Sequence, residues 1–294
     1  MASMRDIRRR IKSVTSTSQI TKAMQMVAAA KMRRSQLAAL NSRPYAGMLH
    51  NMIVSISARL GELASENPLC SGRPVRKEAV ILVTTDKGLC GGLNTNLIRE
   101  ASKYDPANTV FLAVGRKGAQ FVHRTKRNLV GEFSFSDTPK YMEARPIVKM
   151  AVDLFLSGEV DKVGVVYPSF VNTMSQVPTS GVILPLLELK PIAGSEYMVD
   201  GGEDGDKSRT DMLFEPSERG VFDKLLPHYM STMIYHVLLE TRACEFSARM
   251  VSMKNATDNA NSLIKELTVH YNKLRQTGIT NQLLEIASAT SALS

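Results

Sequence analysis

The first sixty residues hold a single proline, Pro44, and a single glycine, Gly47. Ala, Met, Leu, Lys, Arg and Gln dominate this stretch, all residues that lose little on entering a helix. Apolar marks recur three or four apart: Ile7, Ile11, Val14, then Ile20, Met24, Val27, and later Met48, Met52, Ile56. The pattern predicts one helix from Met4 to about Leu60, kinked at Pro44, where an amide donor is missing. At 1.5 Å per residue it would extend on the order of 80 Å, far beyond the reach of an ordinary core helix.

The other end mirrors the first. After Pro227 there is no proline and only one glycine, Gly278. Marks at Leu226, Met230, Met233, Val237, Cys244, Ala248 and Val251, then Ala260, Ile264, Leu267, Tyr271 and Leu274, keep a spacing of roughly 3.5 residues. Two long helices that bracket a middle segment pair most simply antiparallel. The methionines at 24, 26, 32, 230, 233, 250 and 253 are read as seam filler, since Met packs irregular gaps.

Between the helices the pattern changes. Lys77–Thr85, Thr109–Gly115 and Lys162–Tyr167 read as buried strands, Tyr141–Leu156 as a helix that tolerates Pro146 early, and Gln176–Leu187 as an edge strand, because Pro178 and Pro185 fit a central one poorly. Strands alternating with helices predict a mainly parallel sheet with helices on its faces. The first strand runs into the turn Asp86–Gly92, after which Asn94 is placed to cap a helix reaching about Ser102. Pro191–Asp211 turns polar and acidic and reads as a surface loop. The expected divisions are 1–60, 70–210 and 211–294.

Charge is unevenly spread. The chain carries 37 basic and 28 acidic side chains, a net +9, yet residues 1–60 hold eleven basic groups against one acid, Asp6. So lopsided a segment suggests an acidic partner, whether nucleic acid, anionic lipid or an acidic protein surface. No aromatic residue interleaves the basic ones in residues 1–40, as base stacking would require. No apolar run approaches the ~20 residues of a membrane-spanning helix. Three scattered cysteines, Cys70, Cys90 and Cys244, do not form a disulfide framework.

Chemistry-bearing motifs are sparse. The Gly88–Gly92 turn follows a strand, but it has neither the Lys-Ser/Thr pair of a P-loop nor the Gly-x-Gly-x-x-Gly spacing of a dinucleotide fold. The histidines at 50, 123, 228, 236 and 270 lack metal-ligand spacing. Cys90 is read as an inert thiol, and Glu240 and Glu245 as surface partners of Arg242 or Arg249 on a solvated helix. A nucleotide-binding α/β enzyme with a coiled-coil arm stays open as the alternative.

Three segments carry a family resemblance. Ile20–Arg34 (ITKAMQMVAAAKMRR), Asp86–Asn94 (DKGLCGGLN) and Met250–Ala260 (MVSMKNATDNA) resemble, in the same order, the signatures of the gamma subunits of F-type ATP synthases. The resemblance implies a long antiparallel coiled coil of the terminal helices plus a central Rossmann-like α/β domain. It implies a rotor inside a hexamer of alpha and beta subunits, standing beside epsilon on the c-ring, with no catalytic residue, cofactor or metal of its own. Membrane contact would come only through the complex, and nucleic acid would play no part. Lys22, Met24, Lys31, Arg33 and Arg34 match rotor–stator contacts, and Arg275 and Gln276 match residues bonding a loop on beta. Met212, Phe214 and Glu215 match the segment on the c-ring, where the family often carries tyrosines instead of Met212 and Phe214. The apolar tail Leu283, Ile286, Ala287, Ala289 and Leu293 would turn in a hydrophobic sleeve. The start of the chain, without an extra leader ahead of Met4, points to the cytoplasmic face of a bacterial plasma membrane, with the matrix side of the mitochondrial inner membrane as alternative.

Overall fold

A computed structural model describes residues 4–186, 214–215 and 217–293. The elements are α1 (Met4–Leu60), α2 (Glu62–Ser65), β1 (Glu78–Val83), α3 (Leu93–Ala101), β2 (Thr109–Val114), α4 (Arg116–Arg124), β3 (Asn128–Phe133), α5 (Tyr141–Leu156), β4 (Lys162–Phe170), β5 (Gln176–Leu184) and α6 (Glu218–Leu293). They form two compact units, one of Met1–Ala28 with Met250–Ser294, the other of Ala29–Arg249.

Helix α1 passes through Pro44 without a break. Its covered face is a strict heptad stripe: Ile7, Ile11, Val14, Ser18, Thr21, Gln25, Ala28, Met32, Ser35, Ala39, Ser42, Ala46, Leu49, Ile53, Ile56 and Leu60 are each buried or half-buried. Alternating steps of four and three residues keep one seam facing a partner helix. Ile20, Val27, Met48 and Met52, whose spacing predicts a place on that seam, are instead exposed, at 60%, 56%, 64% and 37%. The true seam between Val14 and Leu49 is made mostly of Ser, Thr and Ala. Small side chains let two helices approach closely, but a hydropathy pattern does not register them, which accounts for Ile20 and Val27; Met48 and Met52 lie one position from the buried Leu49 and Ile53.

In the first unit the two helices run antiparallel. Met4 lies against Gly278, Ser18 Oγ donates to Asn261 Oδ1 at 2.8 Å, and the hydroxyls of Thr21 and Thr257 are 2.7 Å apart. Partner numbers fall as residue numbers rise. The α6 side of this seam is Met253, Thr257, Ala260, Ile264, Leu267, Tyr271, Leu274 and Gly278, as its spacing predicts from Ala260 onward.

The second unit is built on a five-stranded sheet ordered β3-β2-β1-β4-β5, parallel except for the antiparallel edge β5. Strands β1 and β2 are near-continuous apolar runs, as strands covered on both faces must be. Helices α3 and α4 cover one face through Leu97, Phe121 and Val122. The other face packs Ile147 and Phe155 of α5 together with Ile53 and Ile56 of α1 and Met230, Ile234 and Val237 of α6. Here too α1 and α6 run antiparallel, with Ser42 meeting His236, His50 meeting Tyr229 and Arg59 meeting Glu218. Elements α2, α4 and β3 lie outside the segments expected from the sequence. β3 (NLVGEF) is a half-exposed edge strand containing Gly131, so it lacks the buried run that identifies its neighbours.

Candidate functional site

In a doubly wound sheet the natural ligand crevice lies beyond the carboxyl ends of the two strands where the chain order reverses. Here those strands are β1 and β4: the chain leaves β1 toward β2 on one side and returns through α5 to β4 on the other. Helix α6 occupies that crevice. Phe170 N and Ser169 Oγ, at the end of β4, donate to Glu240 Oε1 at 2.8 and 3.1 Å. Cys244 Sγ donates to the Pro168 carbonyl, and Ser247 Oγ to that of Thr173 in the β4–β5 hairpin.

The glycine-rich turn beyond β1 is committed to the same helix. Arg249 Nη2 donates to the Gly88 carbonyl at 3.2 Å, and Arg242 Nη2 lies 3.2 Å from Asp86 Oδ2. Within the turn, Thr85 Oγ1 donates to the Lys87 carbonyl at 2.7 Å, and Asn94 Nδ2 donates to Thr85 Oγ1 at 2.8 Å. Asn94 therefore braces the turn instead of capping α3, whose N-cap is Gly92 without a side-chain cap bond. Positive φ falls on Gly91 and on Leu89, whose side chain is exposed. A phosphate cradle needs free backbone amides over an open mouth; this turn instead presents carbonyls, and α6 fills the mouth.

The four α6 charges that the sequence reading placed on the surface are buried. Arg242 and Glu245 are each 2% exposed, Glu240 8% and Arg249 9%. Glu245 binds Arg242 through one carboxylate oxygen and Arg249 through the other. Arg242 also donates to the carbonyls of Phe135 and Ser136 and lies 3.9 Å over the Phe135 ring. With Asp86, two cations face two anions, so the set is neutral and its donors are satisfied, as burial of charge demands. The sequence clue was composition: between the charged positions, residues 239–248 carry Leu, Thr, Ala, Cys, Phe and Ser, side chains that bury readily, where a solvated helix would carry further polar groups.

Burial also moves protons. It pushes the Glu240 carboxyl up to about 7, against the opposing pull of the Phe170 and Ser169 bonds. His236, bonded to Ser42 through Nδ1, is held neutral down to about pH 4, mainly by burial and further by Arg43. Burial raises all three free thiols, Cys70 to about 11. A nearby cavity of about 290 Å³ is edged by Tyr45, Tyr141 and His228, whose ring nitrogens are taken by the two tyrosine hydroxyls. Among the described residues no cluster of His, Cys, Asp and Glu suits a metal ion, and no helix is long and apolar enough to cross a membrane.

The residues singled out from the sequence fall on several surfaces. In the coiled-coil unit Lys22 is exposed, Met24 half-buried, and Arg275 and Gln276 exposed. In the α/β unit Arg33 and Arg34 are exposed, while Lys31 pairs with Asp137 and lies 5.5 Å from the Phe246 ring. That hydrogen bond holds the Asp137 carboxyl below its usual range. Phe214 packs 5.5 Å from the Arg59 guanidinium, and Glu215 is exposed. Met212, the loop 191–211 and the side chains of Ala287, Ala289 and Leu293 lie outside the described residues.

The ATP synthase family profile matches residues 3–293. The ATP synthase gamma chain of Opitutus terrae is 44% identical over 301 residues, covering 99% of each chain, and that of Akkermansia muciniphila is 41% identical with full coverage of both. The chain belongs to the ATP synthase gamma-chain family. Gamma chains are the non-catalytic rotor shaft of the central stalk, and nucleotide chemistry resides in the beta subunits. Among solved structures, the central stalk and c-ring of the Tetrahymena thermophila mitochondrial ATP synthase superposes with TM-score 0.62 at 25% identity, covering 81% of this chain and 99% of that one. A chain of the Euglena gracilis mitochondrial ATP synthase reaches TM-score 0.68 at 17% identity, over 99% and 94%, which bears on the fold alone. A ligand crevice filled by the chain's own helix suits a shaft with no substrate.

Proposed function

We propose that this gamma chain turns inside a hexamer of alternating alpha and beta subunits, with the α/β domain standing on the c-ring beside epsilon. The observation that carries the proposal is the seam of α1. Ser, Thr and Ala face inward, and the larger side chains Ile20, Met26 and Val27 face outward at 60%, 60% and 56% exposure. A stretch of helix that buries its small residues and displays larger ones, as α1 does between Val14 and Leu49, is shaped to be surrounded. The apolar strip provides a surface that slides, because apolar contact is non-directional.

The exposed cations Lys22, Arg33 and Arg34, with Met24, would meet the stator, and Arg275 and Gln276 would bond a loop of beta. Each exposed ion pair is worth about 0.2–1 kcal/mol, weak enough to release at every step of rotation. Lys31 belongs to the same set but is shared with Asp137. At the other end Phe214 and Glu215, with Met212, would contact the c-ring. The proposed location is the cytoplasmic face of a bacterial plasma membrane, reached only through the complex.

Replacing Arg33 and Arg34 together with Gln tests the assignment. Torque in single-molecule rotation should fall while nucleotide affinity at beta stays unchanged. Unaltered rotation under load would refute the role given to these two residues.

A further inference from the structure

Residues 240–249 of α6 are gripped by directional bonds on two faces. One set comprises Arg242, Glu245 and Arg249, spaced three and four apart, hence on one face of the helix. It reaches Asp86 and Gly88 in the turn after β1 and the carbonyls of Phe135 and Ser136 after β3. The other set, Glu240, Cys244 and Ser247, has the same spacing and reaches Phe170, Ser169, Pro168 and Thr173 at the β4–β5 hairpin. At 3.6 residues per turn the two sets point in roughly opposite directions.

We propose that these two jaws form the torsion-bearing joint between the shaft helix α6 and the α/β domain, and that Arg242 and Glu245 are its positioning residues. The inference rests on the rotor reading above. Its physical basis is the difference between apolar and polar contact. Leu226, Met230, Ile234 and Val237 hold α6 against the sheet, but their attraction depends on area and opposes rotation of the helix about its own axis only weakly. A charge-assisted hydrogen bond is short and angular, and fails when either partner turns away. Bonds on opposite faces form a couple, so a twist in either sense strains both jaws together.

The guanidinium of Arg242 is the hub. It bonds two carbonyls and two carboxylates at once while stacking on Phe135. Glu245 ties this hub to Arg249, so the turn after β1 and the loop after β3 act on the helix through one rigid cluster. Burial at 2% exposure keeps water from substituting for either partner.

The test uses the whole complex carrying Glu245→Gln or Arg242→Met, with proton pumping measured per ATP hydrolysed in sealed vesicles. Hydrolysis should stay within about twofold of the parent, since no residue at the nucleotide sites changes. Pumping per ATP should fall at least threefold, and further as the opposing proton gradient is raised. In the free full-length chain, amides 86–90 and 135–137 should exchange hydrogen at least tenfold faster. Arg242→Lys, which keeps the charge but cannot span both carbonyls and both carboxylates, should lie between parent and Arg242→Met and serves if the latter does not assemble. A lower yield of complex with an unchanged pumping ratio would mean that the cluster only stabilises the fold, and would overturn the proposal. Unchanged exchange at the two loops would do the same. A parent complex that hydrolyses ATP without pumping would instead defeat the rotor reading itself.

Discussion

Glu240→Gln should stabilise this protein strongly at pH 8 and hardly at all near pH 4.5. Glu240 is 8% exposed and accepts hydrogen bonds from two neutral donors, Phe170 N and Ser169 Oγ, while burial raises its pKa from 4.5 to about 7 against the opposing pull of those bonds and of Arg43. The folded state thus holds the proton more tightly than the unfolded chain does. Its stabilising contribution is complete below pH 4.5 and is lost as pH rises through 7, a span worth about 3 kcal/mol. Gln keeps the carbonyl that accepts both bonds and has no charge to bury. At 2–4 °C per kcal/mol for a domain of this size, the variant should melt roughly 6–12 °C higher at pH 8. His236 runs the other way: its pKa is lowered from 6.5 to about 4, so its contribution is complete above 6.5 and is lost as pH falls toward 4. In the parent the two slopes oppose each other between pH 4.5 and 6.5. Removing Glu240 uncovers the histidine, so the variant should lose stability on acidification more steeply than the parent. Thermal melts of parent and variant at pH 8, 6 and 4.5 decide the matter. The packing cost of the new amide is the same at every pH, so the pH dependence of the difference carries the test. A constant difference across the series, or a larger gain at low pH, would refute the reasoning.

Two further substitutions probe the scaffold. Gly115 has φ +96°, and an added Cβ would sit 2.3 Å from the Thr84 carbonyl oxygen at the start of α4; Gly115→Ala should cost several kcal/mol, on the order of ~3 or more, because both backbone strain and a backbone clash must be relieved, and denaturant titration will show a lowered midpoint. Ser18→Leu overfills a seam position and strips Asn261 of its hydroxyl donor; about 1–3 kcal/mol of destabilisation is expected, read as earlier melting of helical circular dichroism, and a gain in stability would show the seam to be loosely packed.

The turn Asp86–Asn94 shows how far local sequence reaches. Its glycines identify a tight turn after a strand and its missing Lys-Ser/Thr argues against a P-loop, but its binding partners lie more than 150 positions away on α6. Spacing within a segment cannot report them. The same holds for Glu245: as a helical residue near Arg242 and Arg249 it looks like a surface ion pair, and only the sheet packed over it makes the cluster buried.

Local chemistry was enough for the long helices, the apolar strands β1, β2 and β4, the proline-bearing edge strand and the antiparallel pairing of the ends, because helix propensity and hydrophobic period act within a few turns of the chain. Two of the three family signatures, Ile20–Arg34 and Met250–Ala260, lie in the long helices, and the third is the turn that follows β1. Tertiary structure alone decided which stripe of α1 faces inward, since close helix approach selects Ser, Thr and Ala over larger apolar neighbours. It also decided that α6 fills the sheet's ligand crevice and that its charges are buried there. Those outcomes depend on which surfaces exclude water once the elements meet, and that is a property of the assembled fold, not of any stretch of residues.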